Sequence, residues 1–100
     1  MGTYVSNVKA TRGTASFAIF AGPCRILGIW YVSDGAAGSI TIKDGGSSGT
    51  SIAVFDIGIG GTSAGEALSG NIIIPGDGLL CRTSGYATLS NVAKVTIFYG

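Results

Sequence analysis

The side chains that could do chemistry are few in this chain of 100 residues, and they are widely spaced. Histidine is absent, which excludes Ser-His and Cys-His catalysis and histidine-containing metal sites. Asp34, Asp44 and Asp77 each precede a glycine, where aspartate commonly hydrogen-bonds the backbone of its own turn. Asp56 and Glu66 lie apart, so no carboxylate pair for acid–base catalysis is indicated. The sequence therefore predicts a protein that is not an enzyme.

The cysteines and the glycine-rich stretches also lack the spacing of a cofactor or metal site. Cys24 and Cys81 form no C-x-x-C pair, and we expect reduced, buried thiols, with a disulfide as the alternative. The stretch GIGGTSAGEA, residues 58–67, has the glycine content of a phosphate-binding loop. A P-loop needs Gly-Lys-Ser/Thr, and no lysine occurs between Asp44 and Val92. We expect neither a cofactor nor a metal.

The basic residues are scattered along the sequence. Surfaces that follow a phosphate backbone need clustered Lys and Arg, so no nucleic-acid partner is expected. Every apolar run is shorter than the roughly 20 residues that span a bilayer, and no secretory signal is visible, so no membrane partner is expected. The six basic residues are Lys9, Arg12, Arg25, Lys43, Arg82 and Lys94.

The composition points to a protein that works inside an assembly. Hydrophobic residues make up 46% of the chain and charged residues only 11%, about half the usual charged content. A net charge of +1 provides little mutual repulsion between free copies. We therefore expect much of the surface to be covered by other subunits, the alternative being a monomer with a Ser, Thr and Gly surface.

The most structured stretch is 25–44, RILGIWYVSDGAAGSITIKD, which reads as a β-hairpin with its turn at SDGAAG. In its second arm Ile40 and Ile42 share one face, and the polar residues between them share the other. The first arm is apolar on both faces, so one face must meet a second sheet, a loop or a neighbouring subunit. Simple alternation places Ile26, Trp30 and Val32 on one side and Leu27, Ile29 and Tyr31 on the other. We expect Trp30 in the core and Leu27, Ile29 or Tyr31 near a subunit contact.

About eight short strands follow one another between turn signals, and no helical period persists. This pattern predicts an all-β fold with antiparallel strands in a two-sheet sandwich; a jelly roll is favoured and a meander sandwich is the alternative. Residues 1–13 are interpreted as an N-terminal arm or edge strand, and 14–100 as one domain. Residues 86–91 read as a connection, and Val95 and Ile97 share a face in the last strand.

A platform for sugars or bases could be formed by Tyr31, Tyr86, Phe98 and Tyr99, although such rings more often fill a core or a subunit interface. The candidate subunit-contact residues are Leu27, Ile29, Tyr31, Tyr86 and Tyr99.

The chain contains the stretches RILGIWYVSDGAAGSITIKDGG, IIIPGDGLLCRTSGYATLSNV and the terminal KVTIFYG. Together these stretches resemble short β-rich structural proteins of tailed bacteriophages, and the likeness covers residues 24–100. Its most specific pieces are the turn SDGAAG and the strand stop IPGDG. The chain departs from the family pattern at Leu80-Cys81, where an aromatic residue is more usual. The resemblance implies a virion component and does not distinguish head from collar or tail.

From these observations we expect a non-enzymatic phage structural protein, with a capsid decoration or cement protein favoured. A tail or collar component, or a small glycan-binding tip module, is the alternative. The expected partners are the major capsid protein or other virion proteins and further copies of the chain, with a trimer as the expected homo-oligomer. The expected location is the virion, after synthesis in the host cytoplasm.

Overall fold

The structure is a computed structural model that describes residues 8–58 and 67–100. Within these ranges no helix is long and apolar enough to cross a membrane. The described residues form nine β-strands: β1 (Lys9–Gly13), β2 (Phe17–Phe20), β3 (Cys24–Ser33), β4 (Gly38–Asp44), β5 (Thr50–Ile57), β6 (Ser69–Ile73), β7 (Leu79–Cys81), β8 (Gly85–Ser90) and β9 (Val92–Tyr99).

The strands form two antiparallel sheets. Sheet A has the order β1-β9-β3-β6, with β7 also paired to β3, and sheet B has the order β2-β8-β4-β5. This confirms the predicted all-β, two-sheet fold, with nine strands in place of about eight. The chain crosses repeatedly from one sheet to the other, an order compatible with the jelly roll, which stays a prediction.

The core lies between the two sheets and is built from alternate residues of their strands. Ile40 and Ile42 are buried on one face of β4, and Val95 and Ile97 on one face of β9, as the alternation predicts. Because both inner faces are rich in β-branched residues, the sheets pack through well-fitting pleated surfaces. The buried apolar residues are Ile19, Cys24, Ile26, Ile29, Ile40, Ile42, Ile57, Cys81, Ala87, Val92, Val95 and Ile97.

A register shift in β3 overturns the predicted position of Trp30. Between Ile26 and Gly28 the pairing of β3 with β9 slips by one residue. An extra residue reverses the faces of a strand beyond it, so Ile26 and Ile29 both point into the core. Trp30 consequently points outward and is 49% exposed, so its predicted place in the core is wrong.

The predicted hairpin over residues 25–44 is also wrong, because its two arms belong to different sheets. β3 lies in sheet A and β4 in sheet B, so the segment between them is a crossover. Ser33 fixes the start of this crossover: its N–H donates to the Leu68 carbonyl at 2.7 Å and its Oγ accepts from the Leu68 N–H at 2.7 Å. Ser33 is the one buried polar residue of the described part, and both bonds satisfy it. These contacts with the start of β6 direct the chain away from β3.

Residues 86–91, interpreted as a connection, instead contain a central strand. β8 lies between β2 and β4, with Ala87 fully buried opposite Ile42. The strand ends at Asn91, whose positive φ of 55° turns the chain sharply into β9 in the other sheet. At the N-terminal end, residues 9–13 form the edge strand β1, and residues 1–7 lie outside the described residues. The glycine-rich stretch 58–67 likewise lies outside them for residues 59–66.

Candidate functional site

The outer face of sheet A, called here the Trp30 face, is the most apolar exposed surface of the described residues. Residues directly opposite each other in an antiparallel ladder share a face, so the register defines rows of neighbouring side chains. One row runs Ala10, Phe98, Gly28, Ile73, and the next runs Arg12, Thr96, Trp30, Asn71. Ile73 is 80% exposed, Trp30 49% and Phe98 38%. Three large apolar side chains therefore stand together on one surface.

These side chains surround a groove of about 230 Å³, called here the Trp30 groove. Trp30, Ile73 and Phe98 line its sides, and Asn71 supplies a polar side chain. The backbone of Gly28 forms part of the lining, and a side chain there would lie 3.3 Å from the Ile72 carbonyl and 3.9 Å from the Phe98 ring. The absence of a Cβ at Gly28 thus keeps the groove open. A cleft of this size holds an apolar side chain.

The charged residues on the strands that form the Trp30 face are all positive. The strands of sheet A carry Lys9, Arg12, Arg25 and Lys94 and contain no acidic residue. Arg12 lies in the same row as Trp30, and Lys94 lies opposite Val32 in the following row. Lys9 lies apart from this group, with its Nζ 5.7 Å from the centre of the Phe20 ring. The register therefore brings together basic residues that are scattered in the sequence.

The outer face of sheet B differs in character. Its rows bring together small polar side chains, such as Thr41 opposite Thr88 and Ser39 opposite Ser90. Val54, at 56% exposed on the edge strand β5, is the most exposed large apolar side chain of this sheet. The two outer faces of the sandwich are therefore chemically distinct.

The five residues predicted as subunit contacts do not form one surface. Ile29 is only 1% exposed and has no surface to offer in this structure. Tyr31 and Tyr99 are partly buried against the core, and Tyr99 also contacts Phe20, with ring centres 5.6 Å apart and ring planes tilted by 35°. Leu27 is partly buried in β3, and Tyr86 lies opposite Lys43 on the outer face of sheet B.

The residues that do form the apolar surface are Trp30, Ile73 and Phe98, and none of the three is among the predicted contact residues. Phe98 lies on the face of β9 opposite the buried Val95 and Ile97. Simple alternation places Trp30 in the core, because the register shift has no clear signal in the sequence apart from Gly28. Glycine is a residue type that often marks a bulge inside a strand.

The aspartates with described contacts hold backbone turns. Asp34 Oδ1 accepts from the Ala36 N–H at 3.1 Å, as predicted for a residue that closes its own turn. Asp44 instead reaches a distant turn: Oδ2 accepts from the Arg82 N–H at 3.0 Å, and Oδ1 from those of Thr83 and Ser84 at 2.9 and 3.2 Å. The hydrogen bonds from Thr83 and then Arg82 hold the pKa of Asp44 below its usual range. Asp44 therefore links β4 of sheet B to the turn that follows β7.

The two cysteines lie directly opposite each other where β3 pairs with β7. Both are free and buried, as predicted. Burial raises the pKa of the Cys24 thiol, and burial together with the nearby Cys24 raises that of Cys81 to about 12. A buried thiol that stays protonated is a poor nucleophile and a poor metal ligand. Within residues 8–58 and 67–100, no three His, Cys, Asp or Glu side chains are close enough to hold a metal ion.

No family model matches the chain, and neither the curated proteins nor the solved structures include a significant match to it.

Proposed function

We propose that this chain is a non-enzymatic structural protein that binds other virion subunits through the Trp30 face. The observation that carries the proposal is the exposed apolar groove between Trp30, Ile73 and Phe98. Contiguous exposed apolar patches mark interaction sites, and buried aromatic anchors in small pockets supply most of the binding energy of an interface. The low charge of the chain supports the same conclusion.

A capsid decoration or cement protein is the favoured role. The resemblance of residues 24–100 to tailed-phage structural proteins supports a place in the virion. Many weak contacts on a repeating shell give high avidity, so a small groove on each copy is sufficient for stable attachment. The partners proposed are the major capsid protein or another virion protein, together with further copies of this chain.

The roles of the potentially reactive groups support a non-enzymatic function. Asp34 and Asp44 are engaged by backbone N–H groups, and both thiols are buried. These side chains stabilise turns and the core, and the groove itself is lined mainly by carbon atoms.

A glycan-binding tip module is the second candidate. The observation that favours it is the position of the exposed Trp30 ring directly opposite the Asn71 amide. Sugar rings stack on exposed aromatic side chains, and amides hydrogen-bond sugar hydroxyl groups. Glycan-array binding that is lost in Trp30→Ala, together with a failure to bind virion proteins, would favour this candidate over the first.

The direct test is to look for the chain in purified particles of the phage that encodes it. We expect mass spectrometry to detect the chain in the particles, and cryo-electron microscopy to show its density with the Trp30 face against a neighbouring subunit. Particles that lack the chain would contradict the proposal.

A second test uses the purified chain alone. We expect light scattering to show association that Trp30→Ser weakens. Phe20→Ser is the matched control, because Phe20 is a comparably exposed aromatic residue on sheet B, 39% against 49%. Equal association of both variants and the wild type would count against the Trp30 face as the contact.

A further inference from the structure

A second surface of the same chain has the properties that the Trp30 groove requires of a partner. Val54 is among the most exposed large apolar side chains of the described residues, at 56%. It lies on β5, which is the edge strand of sheet B. Asp56 lies two residues further along the strand, so its side chain points to the same side as Val54, about 7 Å away. An apolar anchor and a carboxylate thus stand together at an accessible edge.

The Trp30 face offers the complementary pair. The groove accepts an apolar side chain, and its volume of about 230 Å³ exceeds that of a valine side chain. In the register, Arg12 lies two strands across and two residues along from Gly28. The usual strand and residue spacings of a sheet place their Cα atoms about 12 Å apart. A carboxylate 7 Å from the anchor and a long arginine side chain can span this distance. All the charges on the strands of sheet A are positive, whereas β5 carries only the negative Asp56.

We propose that copies of this chain associate head to tail, with Val54 of one copy seated in the Trp30 groove of the next and Asp56 paired with Arg12. This inference rests on the proposed function, since it names the occupant of the same face. The contact is heterologous, because two different patches meet, and contacts of this kind close into rings when the rotation between copies permits. The expected trimer is one such ring.

A second copy is favoured over a nucleic acid as the occupant. The groove is lined by carbon atoms with Asn71 as its polar side chain, and it lacks the hydrogen-bonding groups that recognise base edges. A valine anchor needs none of these groups, and the ion pair at the rim supplies orientation.

The experiment is sedimentation velocity over a wide concentration range, combined with intrinsic fluorescence. Trp30 is the only tryptophan of the chain, so its emission reports directly on the groove. We expect the wild type to associate as its concentration rises, with a blue shift of Trp30 emission as the ring leaves water. Val54→Ser and Asp56→Arg should each weaken association by about tenfold or more, the scale measured for anchors and charge pairs in interfaces.

A charge exchange tests the pairing itself. Arg12→Asp combined with Asp56→Arg restores opposite charges at the two positions, so we expect the double variant to associate more tightly than either single variant. Asp77→Arg is the matched control for net charge, since Asp77 lies in the turn between β6 and β7, outside both patches. It should associate like the wild type, and thermal melting should show that all the variants fold.

Several outcomes would overturn the inference. One is a wild-type chain that stays monomeric at high protein concentration. Another is a shift of Trp30 emission on addition of single-stranded DNA, at protein concentrations where the copies do not associate. If Val54→Ser and Asp56→Arg associate as tightly as the wild type, another surface must enter the groove. If Trp30→Ser still weakened association in that case, the proposed function would stand; if Trp30→Ser also had no effect, both proposals would fail.

Discussion

Two isoleucines of sheet A test the register shift on which the Trp30 face depends. Ile29 in β3 is 1% exposed, whereas Ile73 in the neighbouring strand β6 is 80% exposed. Replacing isoleucine by alanine removes three carbon atoms, worth about 2.4 kcal/mol when they are fully buried. Ile29→Ala should lose this amount plus a cavity contribution, within the range of about 2–5 kcal/mol for such changes. Ile73→Ala should lose about one fifth of it, or about 0.5 kcal/mol.

The comparison is well matched because both residues are isoleucines in strands of the same sheet, so the change in β-propensity cancels. Urea unfolding at a concentration where the chain is monomeric measures both free energies of unfolding. We expect a difference of at least about 1.9 kcal/mol, which in a domain of this size corresponds to about 8–15 °C in Tm. Equal losses, or a larger loss for Ile73→Ala, would mean that Ile29 faces outward. Trp30 would then lie in the core, and the Trp30 groove would not exist.

Three further predictions follow from the described contacts. Because the pKa of Asp44 is lowered in the folded state, its contribution to stability is complete above the unfolded pKa near 3.8 and is lost as the pH falls through the folded value. Unfolding measured as a function of pH should therefore show a weaker acid dependence for Asp44→Asn than for the wild type. The thiols should resist Ellman's reagent at pH 8 until the chain unfolds, and a fast reaction of the native chain would contradict this. The free energy of unfolding should fall as the pH rises from about 9 towards 12, because the Cys81 thiol loses its proton at a lower pH in the unfolded chain than in the folded one. A side chain at Gly38 would overlap the Ser90 carbonyl, so Gly38→Ala should lower the free energy of unfolding by about 1–3 kcal/mol. Gly58→Ala is the control: apart from its neighbours in the chain, no atom of the described residues lies within 4 Å of a Cβ at this position, so the variant should be neutral in the same urea titration.

The sandwich could be predicted because its core residues recur in alternation. Ile40 and Ile42, like Val95 and Ile97, are separated by one residue, and each pair is buried as this period requires. The number of strands is harder to predict from the sequence, because the inward positions of β8 include the small residues Gly85 and Ala87. Tyr86, Thr88 and Ser90, which carry hydroxyl groups, alternate with them. The apolar alternation of β8 is weak, and its central place comes from pairing with β2 and β4, which no local pattern reveals.

The candidate site was harder to predict because it depends on which strands are neighbours. The slip between Ile26 and Gly28 moves Trp30 from the expected inner face to the outer one. Arg12 and Trp30 lie 18 positions apart in the sequence, yet Thr96 of β9 stands between them and places them in one row. Local patterns indicate that a strand exists, but not its partners, and the partners here decide the surface.

The position of β9 in sheet A bears on when this chain can fold during its synthesis. Among the described strands β9 comes last in the sequence, and in sheet A it lies between β1, which comes first, and β3. Until β9 leaves the ribosome, β1 has no partner strand in the described sheet, and one long edge of β3 stays open. Pairings this distant in sequence form late and slowly, so the described strands should fold in one cooperative step only after β9 has been made. Loss of β9 alone should therefore leave β1 without a partner in the described sheet and β3 paired only with β6 and β7, in a chain that still carries most of the core residues.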